Sequence, residues 1–307
     1  MNKLLQNTLN KSYIILFFIS FNVNANQLAD KISECTTALS KGDLASAVSV
    51  SDEILKLEVN NRDGLLCKGR ALGAQGKFSE ALNTLEMAEK QSQPGLEKII
   101  ANIFIGNLHK NNHKNAEAIA TYEKSLIICE AEKNDKFKRI NLNFIGDTHT
   151  QNNDLNAALT SYLAGSKLAM NDNERAENFE RLAATHSALG QHDSAIEFQL
   201  KATLMQQKSG TLDEYANSSY ELGKVYEKAK EYSNAEKTYS KLLQFSKDNG
   251  GAYYEAKANY ALGRLKAIAG DTANAKALMS DAFRMAKNMG ENDLAAEIDA
   301  SLKNLTN

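Results

Sequence analysis

Ile103-Phe104-Ile105-Gly106-Asn107-Leu108-His109 is echoed 40 residues later by Asn143-Phe144-Ile145-Gly146-Asp147-Thr148-His149. Leu222-Gly223-Lys224-Val225-Tyr226 is answered, again 40 residues on, by Leu262-Gly263-Arg264-Leu265-Lys266. An alanine with a large residue four places later follows several echoes, as in Ala118 with Tyr122, Ala158 with Tyr162 and Ala235 with Tyr239. A period of 34 to 40 residues predicts an all-α chain of stacked helical hairpins, since no single unit of that size can bury its own apolar face. Such arrays present surfaces for binding more often than clefts for chemistry.

The bulk composition supports this reading. One proline, Pro94, and no tryptophan suit a chain that is nearly all helix, because proline inside a helix costs about 3 kcal/mol. A net charge of −2 argues against nucleic acid, which needs a clustered basic excess. The densest basic run, Lys133 to Arg139, is broken by Asp135.

Residues 1–25 differ from the rest. Lys3 and Lys11 lie in a polar opening, Tyr13 to Phe21 is a short apolar run, and Val23-Asn24-Ala25 precedes an expected cut after Ala25. This is the layout of a secretory signal peptide. An uncleaved membrane anchor would need about 20 apolar residues, so no stable span is expected after cleavage. The mature chain, 26–307, is expected to be exported, to a periplasm or beyond. Cys35, Cys67 and Cys129 make an odd count. Cys35 and Cys67 fall on the first helices of neighbouring units, where a disulfide is one arrangement; three small buried thiols are the expected one.

Laid out in units near 28–61, 62–95, 99–132, 139–172, 176–209, 216–249 and 256–289, the sequence resembles the tetratricopeptide repeat family. Small residues recur at the eighth place (Gly69, Gly106, Gly146, Ala183, Gly223, Gly263), and Gly42, Gly76, Gly190 and Gly270 stand where a first helix must stop. Asn112 and Asn153 fill or flank the turns that lack glycine. The extra residues of the longer units follow the second helix, and residues 293–304 form an amphipathic closing helix. The resemblance implies a right-handed superhelix of about seven hairpins plus that cap, binding a protein or peptide in a groove lined by first helices.

Enzyme signatures are absent: no glycine-rich phosphate loop, no His-Glu-x-x-His and no Cys-x-x-Cys occur, so neither catalysis nor a cofactor is expected. His109, His149 and His186 occupy the eleventh place of successive units, yet this makes no metal site. Zinc ligands converge to about 2.0–2.1 Å, whereas equivalent residues of adjacent hairpins lie about 8–10 Å apart or more. Each imidazole is expected at a helix interface instead.

The family's groove positions fall on Asn107, Asn143, Asp147, Tyr220, Lys224, Tyr260 and Arg264. The last four form a repeated tyrosine–cation pair suited to a carboxylate or phosphate. The family's carboxylate clamp is not supplied, for Ile103 stands where its lysine belongs. The expected function is that of a non-enzymatic scaffold. A ligand-sensing regulator and a structural part of an envelope assembly are the alternatives, the latter favoured by apolar residues on the outer face.

Overall fold

A computed structural model describes residues 26–305; the expected signal segment, 1–25, lies outside the described residues. Helix α1 covers 26–40. It is followed by α2 (Leu44–Leu57), α3 (Arg62–Ala74), α4 (Phe78–Gln91), α5 (Leu96–Asn111), α6 (Asn115–Ala131), α7 (Asp135–Gln151) and α8 (Leu155–Ser166). Then come α9 (Asp172–Ala188), α10 (His192–Ser209), α11 (Leu212–Lys228), α12 (Tyr232–Asn249), α13 (Ala252–Ile268), α14 (Thr272–Met289) and α15 (Asn292–Asn304). Among the described residues the chain is all helix: seven helix–turn–helix units and a closing helix, with the turns where the repeat pattern placed them.

The helix boundaries have local causes. Asp43, Asn61 and Asn171 accept hydrogen bonds from backbone amides of the first turns of α2, α3 and α9. Thr211 and Glu214 close a reciprocal capping box on α11. Most hairpin turns carry one left-handed residue. Glycine fills that place at Gly42, Gly76, Gly190 and Gly270, and Asn153 fills it at φ 59°. Asn112 does not. Its side-chain amide donates to Leu108 O at 2.8 Å, its φ is −101°, and the left-handed state passes to His113. Pro94 lies in the α4–α5 connection, outside any helix.

The long units gain residues in both members of the hairpin. Second helices grow from 14 residues in α4 to 18 in α12, but first helices also grow, from 13 in α3 to 17 in α11. The insertion therefore adds a turn to the hairpin as a whole.

The residues divide into two compact units, one ending at Thr148 and one beginning at His149, so that the division falls inside α7. In the first, Leu65, Leu72, Leu85, Ile105 and Leu108 build the main core, with Tyr122 and Ile145 in a smaller cluster. In the second, Tyr220, Tyr239, Leu242 and Leu262 form the main core, and Tyr260, Met279 and Ile298 seat the closing helix. Helix pairs close on small residues. A Cβ at Gly106 would fall on the Tyr122 ring, one at Gly223 on the Tyr239 ring, and one at Gly263 would come 2.7 Å from Met279 Cγ. Odd-numbered helices also pack on one another, α3 on α5 within the first unit and α9 on α11 on α13 within the second. They form one continuous layer in each.

The expectation of three free thiols is corrected. Cys35 and Cys67 form a disulfide between α1 and α3, with Cα atoms 6.4 Å apart, a separation that a disulfide spans. Both sulfurs sit in the same apolar cluster as Ala47, Ile54 and Ala71. Cys129 is the free, fully buried thiol among the described residues, and burial pushes its pKa up.

Candidate binding face

The odd-numbered helices carry all seven residues named for the groove. In the first unit, Asn107 accepts a hydrogen bond from Tyr122 Oη at 2.6 Å, and Asn143 is buried. Asp147 is half-buried; after burial itself, its charge is the second cause that raises the Tyr122 phenol. Asn107 also borders a pocket of about 160 Å³ with Phe104 and Arg70, whose guanidinium lies 4.6 Å from the Phe104 ring centre. Through Tyr122, Asn107 ties α5 to α6.

The second unit brings together Tyr220, Lys224, Tyr260 and Arg264, but not as open rings and free cations. Tyr220 is 8% exposed and Tyr260 3%. The Tyr260 hydroxyl meets Ser301 Oγ of α15 at 2.8 Å. Lys224 Nζ pairs with Glu221 at 2.8 Å, and Arg264 Nη2 with Glu227 Oε1 at 2.8 Å. Glu227 also accepts from Tyr239 Oη, so one carboxylate joins α11, α12 and α13. The proximity of Glu227 and the three phenols raises the Arg264 pKa against its burial. Replacing Glu227 with alanine should strand a half-buried guanidinium and a buried phenol. A loss of about 2 kcal/mol in unfolding free energy is expected, measurable by urea titration of wild type and variant.

Burial raises the phenols of this core, and Tyr220 is pushed up to about 12. The Tyr239 phenol is raised too, first by burial and then by its bond to Glu227. An unfolded chain loses these protons near pH 10, whereas the folded unit holds them longer. Their stabilising effect is therefore full below pH 10 and is lost as the pH rises above it, for Tyr220 through about 12. Ultraviolet titration should find a fraction of the tyrosines silent between pH 10 and 11.5, released on adding urea.

Sequence reasoning missed Lys257, which lies three residues before Tyr260 and so on the same helix face. Its ammonium sits 4.0 Å from the centre of the Tyr220 ring and also approaches the rings of Tyr253 and Tyr254. Periodicity could have found it, since it stands at another groove position of the last unit. The partners Glu221 and Glu227 carried a weaker signal: each is a carboxylate three residues from Lys224. On α9, Glu177 pairs with Arg181 at 3.0 Å. Half-buried Glu180 borders a pocket of about 350 Å³ with Ser187, Gln199 and Lys224. Burial raises its carboxyl above the ordinary range.

The histidines lie apart. His186 stacks on Phe198 with ring centres 5.3 Å apart, His109 packs against Phe78, and His149 approaches Asp154 at 3.7 Å. Even-numbered helices carry exposed apolar side chains, including Ile127 (70%) and Leu204 (62%). Leu200, Leu204, Leu222 and Leu242 line a third pocket of about 280 Å³ rimmed by Lys237 and Lys241. No described helix is long and apolar enough to cross a membrane.

Comparison with known proteins agrees with this architecture. Residues 174–248 match the tetratricopeptide repeat family model. The apo form of RapI superposes with a TM-score of 0.66 at 15% identity, over 89% of this chain and 80% of that one. The apo quorum sensor NprR from B. thuringiensis gives 0.58 at 15% identity, over 98% and 95%. A tetratricopeptide repeat protein from Parabacteroides merdae gives 0.58 at 17% identity, over 92% and 100%. These likenesses establish a shared fold. No curated protein matches the chain in sequence.

Proposed function

We propose that the chain is a non-enzymatic scaffold that holds a protein or peptide partner against the odd-helix face of α9, α11, α13 and α15. The observation that carries this reading is the ordered row of polar side chains on that face. Lys224 and Arg264 are held by Glu221 and Glu227, and the Tyr260 hydroxyl by Ser301. Side chains fixed before a partner arrives lose little entropy when it docks, which favours binding. Asn107, Asn143 and Asp147 are proposed as the corresponding positions of the first unit. We further propose that the protein acts after export and removal of residues 1–25. The Cys35–Cys67 disulfide supports that compartment, because such bonds persist where the surroundings are oxidising.

Two observations favour other readings. The fold shared with the quorum sensor NprR over nearly the whole length of both chains supports a ligand-sensing regulator. Ile127 and Leu204, exposed on even-numbered helices, support attachment to an assembly through the opposite face. Affinity purification of the tagged chain from its own cell envelope, read by mass spectrometry, tests the proposal. A stoichiometric protein or peptide released by Lys257→Glu supports docking on the odd-helix face. One released by Leu204→Asp and untouched by Lys257→Glu overturns it.

A further inference from the structure

The charges on the odd-numbered helices of the second unit are largely cancelled in place. Arg181 goes to Glu177, Lys224 to Glu221 and Arg264 to Glu227. Lys257 and Glu180, both half-buried, have no such partner among the described residues. Among the described residues Lys257, over the Tyr220 ring, makes no ion pair: nearby Glu221 is held by Lys224, and Glu297, whose charge also reaches it, is exposed on α15. Glu180 has the Ser218 hydroxyl near it and makes no ion pair among the described residues: Arg181 is turned to Glu177, Lys224 to Glu221, and Lys228 at the pocket's edge is exposed. A charge that has shed part of its water without gaining a counter-charge is the group that gains most from a ligand bringing one.

The spacing of the two suits one ligand. Glu180 is on α9 and Lys257 on α13, with α11 packed between them. Two helix-packing steps amount to about 16–20 Å, the length of about five or six extended residues. We infer that this face takes a short extended peptide carrying both signs of charge, its carboxylate meeting Lys257 beside Tyr220 and its basic group meeting Glu180 in the 350 Å³ pocket. The inference rests on the odd-helix face being the docking surface and adds the chemistry of what docks. The paired cations Lys224 and Arg264, which the repeat pattern singles out, then fix the frame and leave recognition to Lys257. The carboxylate can come from an acidic side chain or from a peptide C-terminus.

The test uses the immobilised full chain and pooled hexapeptides in which four uncharged residues separate the ends. Three acetylated and amidated pools end in Lys and Asp, in two Lys, or in two Asp. A fourth begins with Lys and ends in alanine with a free C-terminus. Retention is read by mass spectrometry. Wild type should prefer the Lys–Asp pool or the free-acid pool, and the preferred one identifies the carboxylate's source. Lys257→Glu should shift preference to the two-Lys pool and Glu180→Lys to the two-Asp pool, each by at least about tenfold. Circular dichroism of both variants should match wild type. Equal pool preferences in wild type and both charge reversals would overturn the inference. If wild type retains no pool yet the envelope purification yields a partner released by Lys257→Glu, the docking face stands and the peptide chemistry fails. If that purification also fails, the docking face falls with it.

Discussion

Replacing Gly223 with leucine should lower the thermal midpoint of the second unit by roughly 6–12 °C. The α11–α12 contact closes with the Tyr239 ring where a Gly223 Cβ would stand, so even one methyl group forces the ring to move. Overpacking of this kind costs about 3 kcal/mol at the upper end of its usual range. For a unit of this size each kcal/mol shifts the midpoint by about 2–4 °C. Gly223→Ala should do less harm, because one methyl group displaces the ring less than an isobutyl group and alanine regains about 1 kcal/mol of helix propensity. The displaced ring also carries the hydroxyl that binds Glu227, and through Glu227 it holds Arg264. A packing fault in the core should therefore loosen the proposed docking face. Differential scanning calorimetry of the two variants measures the first effect. An unchanged midpoint in Gly223→Leu would mean that the helices do not meet there.

The second large effect concerns the other end of the array. Replacing Cys35 and Cys67 together with alanine should destabilise the first two hairpins by about 3–4 kcal/mol. The bond closes a loop spanning 32 residues, and the chain entropy restored to the unfolded state grows with that length. In a repeat array each unit leans only on its neighbours, so the loss should stay local. Hydrogen exchange should show residues 26–91 losing protection, while α9 to α15 exchange as in wild type. Uniform loss across both units would contradict the nearest-neighbour picture.

The fold was legible because its determinants are sterically narrow. Gly106 and Gly223 recur at a fixed place because ring and backbone must meet there, and Gly42, Gly76, Gly190 and Gly270 recur because the turns need a left-handed residue. Constraints of that kind leave a mark on residue identity. The disulfide was less legible, since a buried thiol and a half-cystine are the same letter until the Cα separation is known. The candidate site was half legible. Periodicity placed Tyr220, Lys224, Tyr260 and Arg264 on one face. It could not show that the rings are buried or that Glu221 and Glu227 neutralise both cations. A charge on a helix face reads alike whether its neighbour pairs with it or points away. Lys257 stands apart because, among the described residues, it lies over the Tyr220 ring while nearby Glu221 is taken by Lys224, a difference set by rotamers and by contacts across the helix layer.

Site-specific photocrosslinking in the cells that make the protein tests the central claim most directly. A photoreactive residue placed at Lys257 should capture one partner at high yield, and the same probe at Leu204, on the opposite face, should capture none. Capture from Leu204 with silence at Lys257 would contradict the account and move the docking surface to the even-numbered helices.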